Sequence, residues 1–148
     1  MGSRSKRLYR VAEHTGMERD AAARELAAAR DGLDAAEAQL RSLREYVIAY
    51  RREMVSVQES GASAARLRNY TEFLAQLERA VGHQEQAVEQ AHGEVDRQTR
   101  KWIDSRARVV QLETAAEQCA IRERESLERK EQSALDDLAM TRFLNRST

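Results

Sequence analysis

Proline is absent from the 148 residues, cysteine occurs once, and aromatic side chains make up only 5%. A globular domain of this length normally turns on several prolines and closes around a set of aromatics. Both shortages argue against a compact many-element fold and for long uninterrupted helix. The lone cysteine, Cys119, excludes an internal disulfide and makes a reducing compartment the simpler expectation. No stretch approaches the ~18 apolar residues of a membrane helix. The first residues lack the apolar run of a secretory signal. Lys6 stands where an N-myristoylation pattern starting at Gly2 needs Ser or Thr. A cytoplasmic location, with no transmembrane segment, is the expectation.

A charge imbalance is missing too. Twenty-five Lys and Arg offset 25 Asp and Glu, which removes the bulk argument for nucleic acid or an acidic membrane surface. Only the start is locally basic, through Arg4, Lys6, Arg7 and Arg10. A solvated tail is the plainer reading of it. A nucleic-acid contact is the other, and steeply salt-sensitive binding would mark it.

Catalytic and metal-binding patterns are also lacking. His83 and His92 are nine residues apart and no cysteine pair accompanies them, so metal spacing is absent, and His14 stands alone. No glycine-rich phosphate loop occurs. A pair of helices has little room for the concavity of roughly 300 Å3 or more that a catalytic pocket needs. The expectation is a protein that is not an enzyme, takes no cofactor and works by binding other proteins.

What the sequence does have is a seven-residue repeat. Leu26, Leu33, Leu40, Val47 and Met54 form one apolar set, and Ala29, Ala36, Leu43, Tyr50 and Val57 follow three residues later. These are the a and d positions of a coiled-coil seam, continued more weakly upstream by Leu8, Ala12, Thr15 and Ala22. A second seam has Leu67, Leu74, Val81, Val88, Val95, Trp102, Val109 and Ala116 at a. Its d positions are Tyr70, Leu77, Gln84, Ala91, Gln98, Ser105, Leu112 and Cys119. So strict a repeat implies left-handed supercoiling. Gln84 and Gln98 are polar interruptions, which cost stability and fix register.

Between the seams lies Glu59-Ser60-Gly61-Ala62-Ser63, the one place where small turn residues cluster. Gly61 can end a helix with positive φ, and Ser63 can cap the next one. A fold-back centred near residue 62 sets a positions against d positions all along. Met54 then faces Tyr70, Val47 faces Leu77, Leu43 faces Val81, and the bulky Trp102 faces the small Ala22. The fold class expected is all-α: a long two-helix antiparallel coiled-coil hairpin with its bend near Gly61–Ser63. Its helices should run over about 5–58 and 65–144, as a single domain.

In that register the first helix runs out before the second, leaving residues after about 120 unpaired. The repeat also slips there, stepping from Ala116 to Ala120, Leu127 and Ala134, a stutter. The overhang keeps Ile121, Leu127, Leu135, Leu138, Met140, Phe143 and Leu144. An apolar stripe on a lone helix is unstable in water, so it reads as a surface for a partner, or else as a sign of self-association or partial disorder. A second unusual surface lies beside the seam. One flank carries the usual charges, Arg44, Arg51, Glu78 and Glu85. The opposite flank carries Gln39, Tyr46, Phe73, Ala80 and Ala87, an aromatic patch facing solvent that suggests binding.

The stretch Leu40–Arg51 (LRSLREYVIAYR), the Gly61 bend and Asn69-Tyr70-Thr71-Glu72-Phe73-Leu74 followed by Leu77-Glu78 resemble the FliJ family of flagellar export proteins. Tyr-x3-Tyr-Arg before the bend and Asn-Tyr-x2-Phe after it are the specific parts, and the resemblance is strongest from about residue 36 to 110. It implies a component of the flagellar type III protein export apparatus, shaped like the central stalk of rotary ATPases. The implied partners are the export ATPase hexamer (FliI-like), the cytoplasmic linker of the export gate protein FlhA, and export chaperones. The implied place is peripheral, at the inner-membrane export apparatus. The gate-binding surface maps onto Gln39, Leu43, Tyr46, Tyr50, Phe73, Leu77 and Ala80, overlapping the aromatic flank. The family pattern then has a His where Gln84 stands, with His83 beside it here. Entry of the paired chain ends into the ATPase ring implies an ATPase-binding surface of Leu8, Val11, Leu127, Leu135 and Leu138. The stalk protein of a virulence type III secretion system shares this fold and mechanism. A generic structural or chaperone coiled coil without an ATPase partner would have a seam that ends flush.

Overall fold

The computed structural model describes residues 2–147. They form two helices, α1 (Ser3–Glu59) and α2 (Ala64–Arg146), and the chain reverses between them. The all-α antiparallel hairpin expected from the two seams is the fold found.

The reversal is built by Gly61, whose φ is +81°. Its N–H donates to Gln58 O at 3.2 Å, and the Ala62 N–H donates to Val57 O at 3.2 Å. These two bonds make a Schellman C-cap, which satisfies carbonyls that the helix end would otherwise leave open. Ser63 then caps α2, its Oγ accepting the Arg66 N–H at 3.2 Å. Nothing lies within 4 Å of a Cβ placed on Gly61, so a side chain there meets only backbone strain. Gly61→Ala is expected to cost about 1 kcal/mol, read as a slightly lower melting temperature with helix content unchanged by circular dichroism.

Contacts cluster into two units. The bend unit holds Ala22–Trp102. Its seam centre is apolar, with Ala22, Leu26, Leu40 and Val47 buried, while most other seam residues are half-buried, because one neighbouring helix covers one side only. The charged flank pairs across it. Arg51 Nη2 lies 2.6 Å from Glu78 Oε1, and Arg44 Nη2 lies 3.6 Å from Glu85 Oε1. These side chains are about half exposed, so each pair stabilises by less than about 1 kcal/mol and mainly favours one register. The two polar seam residues behave differently. Gln84 Nε2 donates across the pair to Ala36 O at 2.9 Å, whereas Gln98 Nε2 donates within its own helix to Glu94 Oε1 at 2.8 Å. Of these two, only Gln84 can therefore help to fix the offset between the helices.

The terminal unit holds the described residues before Ala22 and after Trp102. Its seam is small and polar: Ala12, Gly16, Val109 and Ala116 are buried beside Ser5, Thr15 and Ser105. The stutter does not occur as read. The heptad continues in phase, and its next a and d positions are Glu123 and Ser126, both half-buried. Glu123 still bonds to α1, so contact reaches past residue 120, where the apolar pattern alone ended it. From Glu128 to Ser147 every residue is exposed, which leaves a helical overhang.

Candidate functional site

Among the described residues no group of three His, Cys, Asp or Glu could hold a metal ion, and no helix is long and apolar enough to cross a membrane. The notable surfaces are one on each unit.

On the bend unit, Tyr50, Tyr70 and Phe73 form an aromatic cluster. Ring centroids of Tyr50 and Phe73 are 4.7 Å apart at 54°, and those of Tyr50 and Tyr70 are 5.1 Å apart at 32°. Tilted contacts of this kind are favoured by the ring quadrupoles and contribute about 0.5–1.5 kcal/mol each beyond burial. Helix geometry explains the cluster. Tyr70 and Phe73 are three apart on α2 and so share a face, and Tyr50 reaches them from α1. The Tyr70 hydroxyl donates to Glu53 Oε1 at 3.1 Å, an anchor the seam reading did not include, although Glu53 lies three residues beyond Tyr50. Loss of solvent, then the charges at Tyr70 and Glu53, hold the Tyr50 hydroxyl above its ordinary value of 10.0. It stays a neutral donor at physiological pH.

The expected gate surface is distributed as follows. Tyr46 is 63% exposed and Phe73 40%. Gln39 is exposed, while Leu43, Tyr50, Leu77 and Ala80 are half-buried. Phe73 makes a contact that heptad phase did not reveal, since it packs on the seam residue Tyr50 while still presenting surface to water. Ile48, 50% exposed on α1 of the same unit, is a further large apolar surface residue.

On the terminal unit, Leu8 and Leu127 line one open groove together with Tyr9 and Ile121. Arg4, Arg122, Arg124 and Lys130 stand around it against two carboxylates, Glu117 and Glu123. Leu8 is half-buried, and Val11 is 50% exposed. On the overhang, Leu127, Leu135 and Leu138 are 57%, 60% and 49% exposed, and Phe143 and Leu144 are exposed beyond them.

The sequence reading missed Glu123. Its Oε2 accepts the Gly2 N–H at 2.7 Å and the Ser5 hydroxyl at 2.7 Å, and its Oε1 accepts the Ser5 N–H at 3.2 Å. These bonds, the Ser5 hydroxyl first, hold its carboxyl below the ordinary value of 4.5. A lowered folded value means the contribution to stability is complete above 4.5 and is lost as pH falls through the lowered value. Cys119 points its thiol at Glu123 Oε1, 3.5 Å away. Partial burial, then that hydrogen bond, push the thiol above its ordinary value, so it is a poor nucleophile.

Comparison with known proteins fits this geometry. The model of the family described as Flagellar FliJ protein matches residues 4–148. The Flagellar FliJ protein of Escherichia coli (strain K12) is 30% identical over 118 residues, covering 80% of each chain. No solved structure matches. A family match over nearly the whole chain, on a two-helix hairpin with the bend where the two seams meet, makes this chain a member of the FliJ family of flagellar proteins.

Proposed function

We infer that the chain is a component of the flagellar type III protein export apparatus that acts as a central-stalk-like coiled coil. In this reading the terminal unit binds the export ATPase ring and promotes its assembly and turnover. The bend unit binds the cytoplasmic linker of the export gate protein FlhA, and export chaperones dock on the same protein. The work is done at the inner face of the membrane, by contact alone and without catalysis by this chain.

The observation that carries the reading is the overhang. A helix that presents Leu127, Leu135, Leu138, Phe143 and Leu144 to water gains free energy when a partner covers that stripe, at roughly 25 cal/mol per Å2 of apolar surface removed from water. A coiled coil whose only task was structural would end flush. Leu8 and Val11 on α1 complete the proposed ATPase surface from the opposite helix. The aromatic cluster belongs to the other unit, so this one protein carries a separate surface for the ring and for the gate. The flagellar family match favours the flagellar stalk over its virulence counterpart.

The test is the hydrolysis rate and oligomeric state of the purified cognate export ATPase, alone, with the whole chain, and with a chain ending at Ser126. That cut removes the stripe and spares Glu123. Stimulated turnover and hexamer formation with the whole chain, both lost on truncation, is the expected result. A truncated chain that stimulates as well as the whole one would move the ATPase contact away from the overhang. No effect from the intact helical chain would overturn the stalk reading.

A further inference from the structure

The first turn of α1 is capped by a residue of α2. Gly2 is the N-cap: its carbonyl accepts the Lys6 N–H at 3.2 Å, the first bond of the helix. An N-cap normally uses its own side chain to accept the N–H three residues on, and a Glu at that third position often accepts the N-cap N–H in return. Gly2 has no side chain, and the third position is Ser5. Glu123 does both jobs from the other helix. It accepts the Ser5 N–H at 3.2 Å and the Gly2 N–H at 2.7 Å, and takes the Ser5 hydroxyl as well. Gly2 also makes room for it, because a Cβ there would sit 2.7–2.8 Å from the carboxylate atoms. A negative group at this end of a helix also complements the helix dipole.

Little else holds this end of α1 down. Between Ser5 and Gly16 the residues buried in the seam are Ser5, Ala12, Thr15 and Gly16, against Ser105, Val109 and Ala116 of the same unit. On α1 only methyls, a glycine and hydroxyls are fully buried, with Leu8 half-buried, so although Val109 of α2 is 2% exposed, this stretch of α1 itself removes less apolar surface from water than a run of buried Leu or Val would. A helix end with few buried apolar groups opens locally at low free energy. In such a segment a few charge-assisted hydrogen bonds dominate the balance.

We propose that Glu123 is a latch that decides whether the first four turns of α1 stay paired with α2 or peel away from it. Closed, it covers Val109, Ala116 and the half-buried Cys119. Open, it joins that face of α2 to the exposed stripe beginning at Leu127, and so moves the start of the unpartnered apolar surface back to Val109, by about five turns. This goes beyond the stalk reading and does not depend on it, since the latch operates in the free chain.

Hydrogen exchange followed by mass spectrometry on the full-length chain at neutral pH tests it, comparing the unaltered chain with Glu123→Ala and Glu123→Gln. The amides of residues 6–16, which have intrahelical acceptors, are expected to exchange about tenfold faster in E123A, the size of effect a lost charged cap produces. E123Q, which keeps one acceptor oxygen, should fall between. Peptides covering 40–80 should exchange as before, because the bend unit is untouched. Unchanged exchange at 6–16 in E123A would overturn the latch. Equal acceleration everywhere would also overturn it, showing a general loss of stability instead.

Discussion

Phe73→Ala and Tyr46→Ala are each expected to weaken binding of the FlhA cytoplasmic linker by about tenfold or more, as loss of an aromatic anchor at the centre of an interface does. The two variants differ in how they reach that result. Tyr46 is 63% exposed, so its truncation removes partner contact and leaves the hairpin alone. Phe73 rests on Tyr50 at 4.7 Å, so its truncation also frees one side of the Tyr50 ring and costs about 1 kcal/mol of packing. Titration of a purified linker peptide should therefore show losses for both, while thermal melts followed by circular dichroism should show a lower midpoint for F73A only. If Y46A binds as tightly as the unaltered chain, the gate surface does not include the exposed flank. If the F73A binding loss tracks its loss of helix, the cluster is structural and the gate contact lies elsewhere.

Leu40→Ala carries the largest expected cost in stability. Leu40 is buried at the centre of the bend-unit seam, and deleting a buried leucine side chain costs about 2–5 kcal/mol. The lower half of that range applies, because a two-helix seam is open at both flanks and water can enter the gap. A loss of about 2–3 kcal/mol lowers the melting temperature by roughly 5–10 °C for a chain of this size. Arg51→Ala is the natural comparison. It breaks the 2.6 Å contact to Glu78, yet both partners are about half exposed, so the expected cost is under about 1 kcal/mol. A Leu40→Ala variant that melts like R51A would mean that the flank charges, and not the seam, hold the bend unit together.

Much of this architecture was legible because a coiled coil writes its contacts into its spacing. The a and d sets from Leu26 to Val57 and from Leu67 to Cys119 marked two helices, and Gly61 and Ser63 marked where the chain reverses. Each rests on local physics: the period of the helix, the positive φ open to glycine, the hydroxyl that accepts a free N–H. The exposed overhang followed from counting which helix ends first. The charged flank was legible as a flank, and the Arg51–Glu78 and Arg44–Glu85 pairs confirm its placement.

The errors came where polar residues carry the seam. At Glu123 and Ser126 the apolar pattern stops while the heptad does not, and reading the apolar residues alone produced a stutter and too early an end to pairing. The available signal was phase: Glu123 falls seven residues after Ala116. Phe73 is exposed where its phase puts it, and the structure adds that it also leans on Tyr50.

The two helices, the place of the bend, the faces that meet and the family are legible in residue spacing and local chemistry. These depend on interactions within a few residues or on a repeat that any register must honour. That Gln84 and not Gln98 reaches across, that Tyr50 gathers two rings and that α2 supplies the cap of α1 came from the packing of the helices against each other. A heptad pattern reads nearly the same when one helix slides by seven residues, so it fixes which faces meet better than which atoms do. Cross-helix hydrogen bonds such as the 2.7 Å contacts of Glu123 need the axial offset and rotation of both helices to within an ångström, and those are set by the packing as a whole.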